Sequence, residues 1–337
     1  MLAAATRAFN QIFTPPFRAV LWKAIGLTLL LLAGLWAALQ GLFNYFVVVP
    51  WPGVETAISI LTGLGLLVGL GFAIIYNASG VVNFAQGEFV MIGAMSAVWL
   101  LAVGMPFPLA LLGAVAITTC VGLALNKFAI EPARGATVIT TIIITIGAAI
   151  FLRGAALLLW GKDIFALPHF SGEETLYFGS ATLLPQNLWV MGVTAVLVIA
   201  VRWFFDRTLM GKAILACACN KDAARLMGIN VGLMLLVSYG MSAFLGAVAG
   251  ILVAPIAFTS YDAGIMLGLK GFSAAILGGM GSSMGAVAGG LLLGILESLG
   301  AGLISSGYKD AMAFTVVLLV LILRPSGLFG RKAADRV

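Results

Sequence analysis

Charged side chains are scarce in this chain. Of 337 residues only 9% are Asp, Glu, Lys or Arg, whereas 62% are apolar, and the mean hydropathy is +1.15. A chain with so few charges cannot clothe a globular core in a water-facing surface. The composition therefore excludes the soluble classes of protein, and we expect the chain to lie in a lipid bilayer.

Cysteine, histidine and catalytic motifs are also missing or few. The three cysteines are Cys120 in an apolar run and Cys217 and Cys219 in a basic loop, which does not suit a disulfide framework, and His169 has no Cys or His cluster near it. The chain lacks GxxxxGK[ST], HExxH and any nucleophile with a neighbouring base. We expect no metal site, no cofactor bound by this chain and no enzymatic activity of its own.

Long apolar runs are what the sequence has instead. One helical crossing of a bilayer needs about 20 apolar residues. Runs such as "ATVITTIIITIGAAIFL" from Ala136 are apolar on both faces, which indicates helices rather than membrane strands. The expected fold is an all-α, polytopic membrane helix bundle with broken or re-entrant helices and roughly ten transmembrane segments, at 24–48, 56–76, 88–104, 107–127, 137–160, 187–205, 232–256, 264–279, 285–304 and 310–324.

The basic residues predict the sidedness of these segments. If the N-terminus is cytoplasmic and each segment reverses direction, fourteen Lys and Arg fall on the inner side and two, Lys162 and Lys309, on the outer side. The inner ones are Arg7, Arg18, Lys23, Lys127, Arg134, Arg202, Arg207, Lys212, Lys221, Arg225, Arg324, Arg331, Lys332 and Arg336. We expect both termini to be cytoplasmic. The net charge of +6 is spread over separate loops, so no nucleic-acid-binding face is indicated.

Two polar segments are long enough for a specific function. The outer one, from Trp160 to Asn187, carries Asp163, Glu173 and Glu174 and is either a docking surface or a solvated loop with a short helix or hairpin. The inner one, "FFDRTLMGKAILACACNKDAARLMGINVGLM" from Phe204, is basic and helix-prone. Within it we expect Asn220 or Asp222 to begin a short helix that Gly228 ends.

The inner segment also carries a family resemblance. Asp222-Ala223-Ala224 followed by Gly228-Ile229 is similar to the (E/D)-A-A-x-x-x-G-(I/V) pattern of the coupling loop of bacterial ABC importer permeases. The stretches "YNASGVVNFAQGEFVMIGA" and "LKGFSAAILGGMGSSMGAVAGGLLLGILES" resemble the permeases for branched-chain amino acids and their amide and urea relatives. Taken alone, the inner segment is open to a second interpretation, an amphipathic loop on lipid headgroups.

The resemblance implies a division of the chain. Residues 1–52 are then a cytoplasmic N-terminus with a first hydrophobic segment that stays as an anchor, which departs from the family pattern. Residues 53–328 are an ABC importer permease domain with a coupling loop at about 206–230, and 329–337 are a cytoplasmic tail. The family usually has an Arg near Leu215, which this chain lacks. The expected coupling residues are Lys212, Asp222, Ala223, Ala224, Arg225, Gly228 and Ile229.

The resemblance also implies a function and partners. The chain would be the permease subunit of an ATP-driven importer in the bacterial inner membrane, receiving branched-chain or related amino acids from an external solute-binding protein. A second, related permease chain would complete the pathway, and two cytosolic subunits would bind ATP-Mg. The alternatives are an ion-gradient-driven secondary transporter of small polar solutes and a membrane subunit without transport.

A polar break divides two apolar runs between Asn77 and Glu88. In transporters such breaks present helix N-termini to anionic substrate groups. On this interpretation Asn77, Ser79, Asn83, Gln86 and Glu88 line or support a substrate pathway. The competing interpretation is a cytoplasmic turn in which Glu88 caps the next helix.

Glycines and charges inside the apolar runs suggest packing contacts. Gly281, Gly285 and Gly289 are spaced four apart, which predicts one face of close helix packing, as do Gly65/Gly69 and Gly246/Gly250. Lys270, Glu297 and Arg153 are costly in hydrocarbon and should face protein or water. Lys270 and Glu297 flank one tight turn and are predicted to pair.

Overall fold

The structure is a computed structural model that describes residues 54–330, apart from 134, 173, 175, 179–180, 304–307 and 325. The predicted segment at 24–48 and the basic residues before 54 and after 330 lie outside these residues. Eleven helices are present in the described part: α1 Val54–Ser79, α2 Gln86–Ala102, α3 Phe107–Leu125, α4 Val138–Trp160, α5 Pro185–Arg207, α6 Leu209–Cys219, α7 Lys221–Leu226, α8 Val231–Ala257, α9 Ala263–Gly278, α10 Ser283–Leu303 and α11 Lys309–Leu323.

The helices coincide with the predicted apolar segments. Each of the nine segments predicted after residue 53 matches a helix to within three residues at either end. The helical fold is therefore confirmed in the described part of the chain. The exception to helix there is a two-stranded hairpin, β1 Leu176–Phe178 paired antiparallel with β2 Ala181–Leu183, in the predicted outer segment. That segment lies outside the apolar runs, so its backbone is not confined to helix.

Within the described residues, four helical stretches are long and apolar enough to cross a bilayer: Phe107–Ile130, which includes a π-helical turn after α3, then α4, α5 and α8. Helices α9 and α10 meet at an angle of 117°, and together they form one broken span or a re-entrant loop. The expectation of broken helices is met at this point. Because one bent pair can form a single span, the number of apolar runs does not by itself give the number of crossings.

The core is built around α1 and α8. Leu67, Leu70, Ile74, Leu245 and Leu252 are all nearly fully buried between neighbouring helices. By contrast α4 and α5 leave many apolar side chains exposed, including Ile150 and Ile199. Apolar side chains exposed on membrane helices are satisfied by lipid or by a partner helix. The described helices thus place α1, α2 and α8–α10 inside and α4 and α5 at the periphery.

Glycine allows the inner helices to approach closely. A Cβ added to Gly250 would lie 2.0 Å from the carbonyl oxygen of Val90, and one added to Gly289 would lie 2.1 Å from that of Ala274. At Gly285 an added Cβ would lie 2.5 Å from the carbonyl oxygen of Gly278, so these glycines lie where helix backbones approach each other closely. Gly281 was wrongly placed on the same helical face: it lies before α10, in the sharp turn from α9, with φ +92°.

Candidate substrate and coupling sites

The break between α1 and α2 runs from the loop helices into the bundle. At one end the Lys221 ammonium of α7 donates a hydrogen bond to the carbonyl of Ser79. At the other end the Phe84 N–H donates to the hydroxyl of Thr145, 3.3 Å away, which is a third of the way along α4. The break is thus held to α7 at one end and to α4 at the other.

Two of the predicted pathway residues, Ser79 and Asn83, hold this break together. The Ser79 hydroxyl accepts the Val81 N–H at 3.0 Å, and the Asn83 Oδ1 accepts the Ala85 N–H at 3.1 Å. Both side chains thus satisfy backbone donors that no helix pairs. Asn83 is fully buried, so its place is structural support for the irregular backbone.

Gln86 anchors the start of α2 to the centre of α8. Its amide nitrogen donates to the Ser242 carbonyl at 3.1 Å, and its amide oxygen accepts the Ser242 hydroxyl. That hydroxyl also lies 2.9 Å from the carbonyl of Gly71 on α1. Ser242 was not predicted as a site residue, because neither it nor Ser238 in the same 27-residue apolar helix lies in a local pattern that marks it.

Glu88 lies two residues further along α2 and is buried to 2% exposure. Its Oε1 accepts a hydrogen bond from the Arg153 Nη2 of α4 at 2.7 Å. Arg153 therefore faces protein, as its cost in hydrocarbon predicted. Sequence reasoning had assigned Glu88 to the α2 dipole and had left Arg153 without a partner, because 65 residues separate the two.

Asn77 lies apart from Glu88, in a cleft of about 230 Å³ at the end of the bundle that carries α6. The cleft is also lined by Arg202 and Asp206 of α5, by Leu215 of α6 and by Gly281 in the α9–α10 turn. The side chains of Arg202 and Asp206 are mostly exposed, and the Arg202 Nε lies 3.5 Å from the Asp206 Oδ2. The structure thus divides the predicted pathway residues between two places rather than gathering them in one.

Lys270 and Glu297 pair as predicted. The Lys270 Nζ lies 3.2 Å from Glu297 Oε2, and also 2.7 Å from the Asp310 Oδ1 at the start of α11. Asp310 was missed, because its place near the predicted end of a segment suggested a solvated position. Burial of charges is tolerated where opposite charges pair, and this triad joins α9, α10 and α11.

The predicted coupling segment folds as two short helices. The Thr208 hydroxyl accepts the Gly211 N–H at 3.0 Å and so begins α6, and Asn220 Oδ1 accepts the N–H groups of Asp222 and Ala223, each at 3.0 Å, to begin α7. Gly228 follows α7 with φ +82°, a conformation that favours glycine. The prediction that Asn220 caps and Gly228 ends the helix is confirmed.

These helices are fixed to the bundle on one side. Ile214, Cys217 and Ala224 are buried in the same apolar cluster as Val201 and Phe205 of α5. Burial raises the pKa of the Cys217 thiol, which keeps it protonated at neutral pH. Burial, and then the charge of Arg225, lower the pKa of Lys221. Helix α6 therefore packs directly against α1, α5 and α8, and α7 packs against α8.

The other side of the segment is exposed. Leu226 and Met227 are 89% and 82% exposed, and Lys212 on α6 and Ala223 on α7 are exposed as well. Asp222 and Arg225 form an exposed ion pair, with 3.2 Å between the Arg225 Nη1 and the Asp222 Oδ1. Ile229, just before α8, is half-buried. Two large apolar side chains at the tip of a basic loop form a surface suited to a protein partner.

The outer segment is tied to the opposite end of α8. Phe165 forms an antiparallel bridge with Thr259, each N–H donating to the other's carbonyl at 2.8 Å. The Gln186 amide donates to the Leu252 carbonyl at 2.9 Å and accepts the Phe170 N–H. Of the two interpretations of this segment, the hairpin is observed, and the segment is packed rather than free.

Comparison with known proteins places the chain among transport permeases. Residues 56–323 match the family described as the branched-chain amino acid transport system permease component. The chain is 32% identical, over 80% of its own length and 92% of the relative, to the high-affinity branched-chain amino acid transport permease LivH of Escherichia coli K12, and 33% identical over 80% and 93% to BraD of Pseudomonas aeruginosa. A probable LivH of Methanocaldococcus jannaschii is 28% identical over 80% of this chain and 90% of the relative.

Proposed function

The chain belongs to the branched-chain amino acid transport permease family, and we propose that it is the membrane subunit of an ATP-driven importer for branched-chain or related amino acids. The observation that carries this proposal is the family match, which is unbroken from residue 56 to 323 and includes both the α1–α2 break and the α6–α7 segment. The relatives named above are transport permeases for branched-chain amino acids. An ion-driven transporter would leave the exposed α6–α7 surface without a role.

The membrane arrangement follows from the same premise. We propose roughly ten crossing or partly crossing segments in the bacterial inner membrane, with residues 53–328 as the permease domain and both termini cytoplasmic. The strong inner bias of Lys and Arg supports this orientation. The basic α6–α7 segment and the Phe165–Thr259 bridge lie at opposite ends of the 27-residue helix α8, as inner and outer loops should.

Coupling to ATP is assigned to the surface of α6–α7. This chain has no phosphate-binding loop, so ATP-Mg would be bound and hydrolysed by two cytosolic subunits. Leu226 and Met227 offer them an apolar contact, with Lys212, Asp222, Ala223 and Arg225 around it. Because Ile214 and Ala224 are buried on the reverse side, closure of the ATPase pair would bias two states of the bundle.

The substrate pathway is assigned to the α1–α2 break and the helices around it. An external solute-binding protein would deliver the amino acid, and a related permease chain would form the other half of the pathway. Ser79, Asn83 and Gln86 would support the irregular backbone, whereas Asn77 and Glu88 reach open clefts. Irregular backbone inside a membrane is tolerated where it lines a cavity or is enclosed by protein.

Uptake in proteoliposomes tests this function. The tagged chain is purified with its co-expressed neighbours, reconstituted, and supplied with radiolabelled leucine and its binding protein. We expect accumulation that requires enclosed ATP-Mg and that persists when proton and sodium gradients are collapsed. Accumulation driven by an ion gradient without ATP would contradict the proposal and favour a secondary transporter.

A further inference from the structure

A cleft of about 230 Å³ opens beside the Glu88–Arg153 pair, inside the bundle. Phe72, Phe84 and Phe272 form its apolar wall, with ring centroids 5.7 Å apart for Phe72–Phe272 and 5.6 Å for Phe84–Phe272. Glycines of α9 form another side. One cleft thus combines a carboxylate, a guanidinium and an aromatic surface.

The hydrogen bond between Glu88 and Arg153 uses only one polar atom of each side chain. Glu88 Oε1 and Arg153 Nη2 are bonded, but Glu88 Oε2 and Arg153 Nε are buried and make no hydrogen bond within the described part of the chain. A buried charged group that lacks a partner is costly. A ligand with one cationic and one anionic group would supply both missing partners.

Glycine keeps the space at Glu88 open. A Cβ at Gly264 would lie 2.5 Å from Glu88 Oε2, so a side chain at that position would displace the carboxylate or occupy the cleft. Gly268, one turn further along α9, also lines the cleft. Gly264 and Gly268 thus form the α9 side of the cleft without side chains, and Glu88 lines the cleft beside them.

The open side of the cleft is unsuited to lipid. Arg153 is 28% exposed there, between the exposed side chains of Ile146 and Ile150 on α4. A guanidinium facing hydrocarbon is strongly disfavoured. This side of α4 is therefore expected against water or against the second permease chain, both of which allow a polar solute to enter.

From these observations we infer that the cleft is an amino acid binding site within the membrane. Glu88 binds the ammonium group of the substrate, Arg153 binds its carboxylate, and Phe72, Phe84 and Phe272 hold its apolar side chain. The site adds a second selection step to that of the external binding protein. The inference rests on the proposed function, because it concerns the same substrate on its way through the permease.

Direct binding to the purified transporter complex, without the external binding protein, tests the site. Tritiated leucine is titrated, with two leucine analogues as competitors: 3-methylbutylamine, which lacks the carboxylate, and 4-methylpentanoate, which lacks the ammonium group. We expect wild type to bind leucine and to discriminate against both analogues. Glu88→Gln and Arg153→Gln should each weaken leucine binding by about tenfold or more, as loss of a charged hydrogen bond predicts.

The pattern of discrimination separates binding from mere stability. Glu88→Gln should lose its preference for leucine over 4-methylpentanoate, and Arg153→Gln its preference over 3-methylbutylamine. Glu297→Gln, which disturbs the other buried ion pair, should keep wild-type ranking and affinity. Phe84→Ala is a variant that should still fold, because Phe84 is 39% exposed. It should reduce the discrimination between leucine and alanine.

The outcomes distinguish the inference from the function. Unchanged leucine affinity and analogue ranking in both charge variants, or no leucine binding by a wild-type complex that imports leucine with ATP, would overturn the site and leave the proposed function intact. A wild-type complex without ATP-driven uptake would overturn the function itself.

Discussion

The ammonium of Lys270 lies between two carboxylates, 3.2 Å from Glu297 and 2.7 Å from Asp310. Lys270 is 8% exposed and Glu297 1%. The bridge links the broken pair α9–α10 to α11. Lys270 is thus the positively charged partner of two acidic side chains on different helices. Its removal would take this counter-charge away from both.

Lys270→Met should destabilise the protein strongly. Removing one partner of a buried ion pair typically costs about 3–5 kcal/mol. The matched control is Arg202→Gln, which breaks the exposed pair with Asp206, where the expected loss is about 0–1 kcal/mol. Thermal unfolding in detergent, followed by size-exclusion chromatography, measures both. Equal shifts for the two variants would show that the triad contributes no more than a surface pair.

Exchanging the charges of the first pair should fail to restore stability. In Lys270→Glu with Glu297→Lys, the new glutamate faces Asp310, which is a like charge in a position where opposite charge is required. Addition of Asp310→Asn should recover most of the loss. Full recovery by the two-residue exchange alone, with the same unfolding assay, would mean that Asp310 is not part of the buried group.

Gly250→Val should force α2 and α8 apart. The added side chain would meet the Val90 carbonyl at 2.0 Å, a backbone atom that cannot move away alone. Overpacking of this kind costs about 1–3 kcal/mol. Gly147→Ala, in an open position on α4, should be neutral or stabilising by about 0.5–1 kcal/mol through helix propensity. Comparable yields of folded protein for both would contradict the packing assignment.

Asn83→Leu should reduce the amount of folded protein. Asn83 is fully buried, and its Oδ1 satisfies the Ala85 N–H in the break. Loss of that acceptor costs about 1–3 kcal/mol. Asn83→Ser offers a shorter acceptor and should recover part of the yield, as measured by fluorescence-detected chromatography of tagged protein. Normal yield of Asn83→Leu with loss of leucine uptake would place Asn83 on the pathway itself.

Much of this architecture could be predicted from the sequence, for identifiable reasons. Apolar run length located the helices, and local capping by Asn220 and Gly228 set the bounds of α7. The pairing of Lys270 with Glu297 was predictable because a single tight turn separates their helices. These features are local, or nearly so, along the chain.

The remaining features depend on contacts between distant segments. Glu88 meets Arg153 across 65 residues, and Gln86 meets Ser242 across 156, so neither contact has a local signal. Gly281 was misplaced because its spacing fits a helix that begins only two residues later. The contacts that hold the α1–α2 break could not be predicted either, because counting charges locates only the ends of the segments.

Co-purification tests whether ATPase subunits couple to this chain through α6–α7. The tagged complex is isolated and its ATP hydrolysis measured for wild type, for Leu226→Asp with Met227→Asp, and for Asp222→Lys with Gly228→Trp. Ile164→Asp is the control, since Ile164 is 74% exposed at the opposite end of the bundle. We predict that ATPase subunits co-purify with wild type and the control and are lost from both loop variants. Folded wild-type protein without an ATPase partner would contradict coupling to ATPase subunits. Loop variants that retain those subunits fully would contradict coupling through α6–α7.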